Sequence, residues 1–155
     1  TFCYRKNQIA NISGEKINSL AFDEIIDNFS TRINELFIGY SIYPDRESSP
    51  GHYVLLVETE NIFDKSKESE LSEIFTEELC KGNVSVEPLI RSGALGKCEV
   101  KLLKKGTYDA YREVLRQNGA NLNQIKPIKL IDTDMKKDFF FSHIIWRYNY
   151  DRFFK

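Results

Sequence analysis

The sequence predicts an α+β domain, a small mixed, mainly antiparallel sheet with helices packed against it. Two observations lead there. Residues 37–43 and 52–59 are rich in β-branched and aromatic side chains, and the polar stretch Pro44-Asp45-Arg46-Glu47-Ser48-Ser49-Pro50-Gly51 separates them. Such runs about a turn-forming segment read as an antiparallel strand pair joined by an open loop. On either side of that pair, apolar residues recur at helical spacing: Phe22, Ile25, Ile26, Phe29 and Ile33 before it, Leu71, Ile74, Phe75 and Leu79 after it. Strands and helices therefore interleave while two strands stay adjacent, which favours a sandwich of helices on a sheet. No glycine-rich turn of the Walker or dinucleotide kind follows any strand, so a doubly wound nucleotide fold is not expected.

Each element has its own justification. Residues 3–12 alternate loosely between apolar and polar before Ser13-Gly14, the pattern of a short strand or hairpin. The first helix is expected from about Asn18, with Ser19 as N-cap and Asp23 and Glu24 near the positive end of the helix dipole. A second helix fits residues 66–80, with its glutamates outward and Gly82 as the stop. A shorter helix over residues 84–90 accepts Pro88 only as a kink or as an early-turn residue. Residues 98–103 read as a strand leading to Lys104-Lys105-Gly106. A further helix starts with Thr107 as N-cap, puts Tyr108, Tyr111 and Leu115 on one face, and ends at Asn118-Gly119. The tail is aromatic, with Phe139, Phe140, Phe141, Trp146, Tyr148, Tyr150, Phe153 and Phe154.

Composition narrows the class. A chain of 155 residues fits one domain with a real core, and 41% hydrophobic with 29% charged residues is ordinary for a globular protein. A net charge of -1 gives no pull towards nucleic acid or an anionic membrane, so neither is expected as a partner. No apolar run approaches the ~20 residues of a membrane-spanning helix. Cys3, Cys80 and Cys98 are widely spaced, as reduced thiols of a cytoplasmic domain would be. The chain opens Thr1-Phe2-Cys3 without an initiator methionine, and its single methionine is Met135. A piece of a longer protein is the expectation.

Few residues invite chemistry. His52 and His143 are far apart and neither has a second ligand at helical or hairpin spacing, so no metal site is expected. No Gly-x-Ser-x-Gly is present. The cysteines read as small apolar core residues, Lys104-Lys105 as a solvated strand end, and the glutamates from Glu68 to Glu78 as an exposed helix face. The aromatic tail lacks a basic groove and reads as core or interface. Lys126 differs: in Asn123-Gln124-Ile125-Lys126-Pro127 it sits in a polar loop just ahead of a proline. Its compact ammonium could neutralise charge developing on a phosphate. Gly14-Glu15-Lys16 is a second loop of interest, between a strand and a helix.

The order of these pieces resembles the C-terminal domain of the acyl acid amido synthetases, the auxin-responsive Gretchen Hagen family, in a form like its bacterial members. The matching stretches are Arg5-Lys6-Asn7, Ser13-Gly14-Glu15-Lys16, Pro50-Gly51-His52-Tyr53-Val54-Leu55, Arg91-Ser92-Gly93-Ala94-Leu95 and Glu99-Val100. Most specific are Gly106-Thr107-Tyr108 and Gly119-Ala120-Asn121-Leu122-Asn123-Gln124-Ile125-Lys126-Pro127. The likeness fades after about Asp132. It implies residues 1–155 as a single small C-terminal lid of a two-domain, adenylate-forming ligase. With ATP and Mg2+, such an enzyme makes an acyl-adenylate from a carboxylic acid, then passes the acyl group to an amino acid amine. Its nucleotide and acyl pockets lie in an N-terminal adenylation domain of the same chain, so this portion alone is expected to be inactive.

Residue by residue, the resemblance makes Lys126 the catalytic cation reaching the α-phosphate and the reacting carboxylate. Asn123 and Gln124 become polar positioning residues of the nucleotide site, and Glu15 and Lys16 a second contact with it. Ile125 stands where the family usually has tyrosine, and Ile128-Lys129 where proline-arginine is common, so nucleotide contacts differ there. Two other functions fit the same residues: a lid whose parent forms a thioester with coenzyme A, and a stand-alone α+β module that binds a metabolite or regulates. Product analysis separates the first, and the upstream reading frame separates the second.

Overall fold

A computed structural model of the chain describes residues 9–119 and 129–146. In order they form β1 (Ile9–Ala10), β2 (Ile17–Asn18), α1 (Ser19–Ile33), β3 (Phe37–Asp45) and β4 (His52–Thr59). A 3-10 turn (Lys65–Lys67) then leads into α2 (Glu68–Gly82), α3 (Val86–Ser92), β5 (Glu99–Leu102), α4 (Thr107–Gln117) and α5 (Asp134–Ser142). The α+β expectation stands. The main sheet has the order β3-β4-β5, β3 antiparallel to β4 and β5 parallel to it, and β1 pairs antiparallel with β2 beside it. A parallel neighbour needs a long crossover, which α2 and α3 supply.

β4 organises the core. Tyr53, Leu55 and Val57 point into one apolar cluster with Phe22, Ile25, Ile26 and Phe29 of α1 and Leu71, Phe75 and Leu79 of α2. Val54 and Leu56 point the other way, into a second cluster with Tyr111 of α4, Phe140 of α5, Ile131 and Ile144. The sheet is therefore covered on both faces, which explains why β4 reads as a continuous apolar run. The described part of the aromatic tail contributes to this second layer: Phe140 is fully buried between Tyr108 and Tyr111, whereas Trp146 is exposed; Tyr148, Tyr150, Phe153 and Phe154 lie outside the described residues.

Helix boundaries depart from expectation for identifiable reasons. Asn18, not Ser19, caps α1, its Oδ1 accepting from the Ala21 amide at 2.8 Å. Asp23 lies beyond the first turn, so it does not serve the helix dipole there. α2 runs through Gly82 and is capped by Asn83. Gly82 is needed for closeness rather than for a turn, because a Cβ there would sit 2.4 Å from Ile25 of α1. α3 begins two residues later than expected, with Pro88 in its first turn where its missing N–H costs nothing. Thr107 is the first residue of α4 rather than its cap; Gly106 occupies the cap in the left-handed region at φ 88°.

Candidate functional site

The Gly106-Thr107-Tyr108 stretch is a docking device for α4. The Glu58 carboxylate, 2% exposed at the end of β4, accepts from the Gly106 amide at 2.6 Å and the Tyr108 amide at 3.0 Å. A carboxylate on the first amides of a helix satisfies two otherwise orphaned donors and meets the positive end of the dipole. Thr107 is buried and donates from Oγ1 to the Lys104 carbonyl at 2.6 Å. The Tyr108 ring lies flat against Gly39 of β3, where any Cβ would come within 2.8 Å of it, and its hydroxyl is 2.7 Å from Ser41 Oγ. Burial raises the Tyr108 pKa, so that hydroxyl stays protonated.

α4 closes at Asn118 and at Gly119, in the left-handed region at φ 95°. The chain is next described at Lys129, on the outer edge of β3. There the Ile42 amide donates to the Lys129 carbonyl and the Ile131 amide to the Ile42 carbonyl, both at 2.8 Å, with Leu130 bridged in parallel to Ile42. Lys129 Nζ lies 2.6 Å from Asp23 Oδ2 of α1, and the Tyr40 hydroxyl donates to Asp23 Oδ1 at 2.6 Å. Lys126, Asn123 and Gln124 fall between these two anchors and lie outside the described residues.

Glu15 and Lys16 are described, and they face opposite ways. Glu15 is 4% exposed, and its carboxylate accepts from the Ile12 amide at 2.6 Å, the Ser13 amide at 2.9 Å and the Tyr53 hydroxyl. Burial alone would raise its pKa; the bonds from Tyr53, Ile12 and Ser13 outweigh that and hold the carboxyl below its usual range. Lys16 is exposed, with its backbone in the left-handed region at φ 48°. Gly14, at φ 101°, and Asn11, whose Oδ1 takes the Gly14 amide at 2.6 Å, complete a tightly bonded loop.

The remaining polar candidates have local partners. His52 Nε2 is 3.2 Å from Glu99 Oε1, and His143 Nδ1 is 2.8 Å from the Phe139 carbonyl. Lys104 and Lys105 are exposed. Cys98 is buried, its thiol pushed up to about 12 by burial. Among the described residues no group of three or more His, Cys, Asp or Glu is placed to hold a metal ion, and no helix is long and apolar enough to cross a membrane. Sequence reasoning missed Glu58, Tyr53 and Tyr40, and gave Asp23 another task. A lone carboxylate closing the apolar run of β4 was the available signal for Glu58.

Solved structures share this architecture. One titled GH3.15 acyl acid amido synthetase superposes with a TM-score of 0.78 at 16% identity, over 90% of this chain and 26% of that one. A second, titled AtGH3.15 acyl acid amido synthetase in complex with 2,4-DB, gives 0.72 at 17%, over 88% and 26%. At that identity they establish the fold. The model of the GH3 family C-terminal domain matches residues 21–134, and the chain belongs to this family. Among its relatives, the rice (Oryza sativa subsp. japonica) protein named probable indole-3-acetic acid-amido synthetase GH3.11 is 27% identical over 157 residues, 93% of this chain and 26% of its own. Two Arabidopsis thaliana proteins follow. Indole-3-acetic acid-amido synthetase GH3.17 is 24% identical over 95% of this chain and 26% of its own. 4-substituted benzoates-glutamate ligase GH3.12 is 22% identical over 84% and 25%. The chain thus spans about a quarter of the length of the relatives it matches.

Proposed function

We propose that this chain is the C-terminal lid of an ATP-dependent ligase that joins a carboxylic acid to an amino acid through an acyl-adenylate. The observation that carries this reading is the match of residues 21–134 to the C-terminal domain of a family whose similar members are named as amido synthetases and acid–glutamate ligases. Those names favour amide formation over a coenzyme A thioester, and the family match disfavours a stand-alone module.

The chemistry needs what the lid would bring. A carboxylate oxygen attacks the α-phosphorus of ATP and the bond to pyrophosphate breaks. Two anions meet, and charge builds on the phosphoryl oxygens. The amino acid nitrogen then attacks the acyl carbon, AMP leaves and the amine gives up a proton. A cation delivered only when the small domain closes stabilises the first transition state more than the free substrates. Lys126 is our choice for that cation, with Asn123 and Gln124 positioning the nucleotide. Lys16 would be the second contact, presented by the loop that Glu15 braces. ATP and its Mg2+ would be held by the N-terminal adenylation domain; the described residues offer the ion no cluster of carboxylates.

The test uses the full-length parent, ATP and a panel of carboxylic acids headed by indole-3-acetic acid. We expect Lys126→Ala to lower acid-dependent pyrophosphate release about a hundredfold, as loss of one such charge contact does, with an unchanged melting temperature. Wild-type rates from that variant would refute the assignment.

A further inference from the structure

We infer that Tyr53 is a positioning residue for Lys16, and that the backbone strain held at Lys16 serves to present its ammonium to the phosphates of the nucleotide. The inference rests on the reading above, in which Lys16 is a nucleotide contact. It starts from an outlier. Among the described residues two that are not glycine lie in the left-handed region, Asn34 at φ 55° and Lys16 at φ 48°. Asn34 is the C-cap of α1, a position where asparagine is common. Lys16 ends no helix, and a residue with a Cβ is strained in that conformation.

Buried neighbours on both sides impose the strain. Before it, the Glu15 carboxylate is fixed by the Ile12 and Ser13 amides and the Tyr53 hydroxyl, and the Glu15 carbonyl accepts from Asn83 Nδ2 at 3.2 Å. After it, Ile17 is buried and pairs with Ala10. Tyr53 carries the constraint into the core, because its ring is fully buried and meets Phe22 edge-on at 6.0 Å. Between two buried residues, Lys16 is exposed. Arg32, Lys65, Lys101 and Lys129 each pair with a carboxylate, whereas Lys16 has none among the described residues. A second cation joins the same loop, the Arg46 guanidinium donating to the Asn11 carbonyl at 2.8 Å. An unpaired cation in a strained backbone adds nothing to folding, and glycine would fit the position better. Strain that the surroundings over-determine is characteristic of ligand clamps, and the charge here suits an anionic ligand.

The test measures acid-dependent pyrophosphate release by the full-length parent at varied ATP, together with thermal melting. Lys16→Gly removes both strain and charge. It should raise the melting temperature and also raise the KM for ATP about tenfold, the low end for loss of a charged contact. Lys16→Ala keeps the Cβ and so the strain; it should raise the KM alike and leave the melting temperature unchanged. Lys16→Arg should keep the wild-type KM. Tyr53→Phe should raise the KM too, yet add nothing to it in a Lys16→Ala background, a result that a purely structural hydroxyl would not give. A Lys16→Gly enzyme no more stable than wild type, or one with a wild-type KM, would overturn the inference. So would a Tyr53→Phe effect that multiplies with that of Lys16→Ala. A wild-type parent that releases no pyrophosphate with any acid of the panel would instead remove the reading beneath it.

Discussion

Glu15 shows how one buried carboxylate shapes a loop and sets a pH dependence. Three donors converge on it, so its ionised form is favoured in the folded state despite burial. A carboxyl held below its ordinary value of 4.5 contributes stability that is full above that value and is lost as pH falls through the folded pKa. Glu15→Gln removes the contribution. The variant should be about 2 kcal/mol less stable near neutral pH, the usual worth of hydrogen bonds to a charged group. The gap in melting temperature between the two proteins should then narrow as pH is lowered below about 4.5. A gap that stays constant or widens on acidification would exclude the carboxylate as its source.

The edge of β5 shows how a helix can close a sheet without a strand. The amides of Cys98, Val100 and Leu102 point away from β4. They donate to Thr76 Oγ1 at 3.0 Å, Ser72 Oγ at 2.8 Å and Glu68 Oε2 at 2.8 Å. Four residues of helix rise about 6 Å and two residues of strand about 6.6 Å, so side chains spaced by four on α2 meet alternate amides of an edge running the other way. The ladder occupies donors that would otherwise invite pairing with another strand. Replacing Ser72 by alanine and Thr76 by valine together leaves two buried amides without acceptors, at about 1–3 kcal/mol each. Amide exchange should accelerate at Cys98 and Val100 and not at Leu103, which donates to Val57 within the sheet. Unchanged protection at Cys98 and Val100 would mean that water or a shifted backbone replaces the ladder.

Taken together, two helical layers cover the two faces of β4. α4 is bolted through Glu58 and Tyr108, and the chain returns to β3 through Ile42 and Asp23. On the proposed reading, the 155-residue chain supplied with ATP, the parent's acid and an amino acid should release no acid-dependent pyrophosphate. On the same reading, a separately produced N-terminal domain would supply the nucleotide and acyl pockets. Turnover by the chain alone would contradict a lid role.

Local pattern was enough to read α1, α2, α4 and the three strands of the main sheet. Helical and strand periodicities report which face of each element avoids water. The glycine-led entry to α4 was legible for the same reason, whereas Lys126, which family likeness proposes as the cation, lies outside the described residues. Pattern could not reveal that β4 is buried on both faces, since a continuous apolar run fits more than one packing. Nor could it pair Glu58 with amides 48 and 50 positions away, or Lys129 with Asp23 across 106. Such contacts arise because packing two layers onto one sheet brings distant segments to the same edge. A carboxylate seen in isolation then reads as solvated surface, and the fold makes it an anchor.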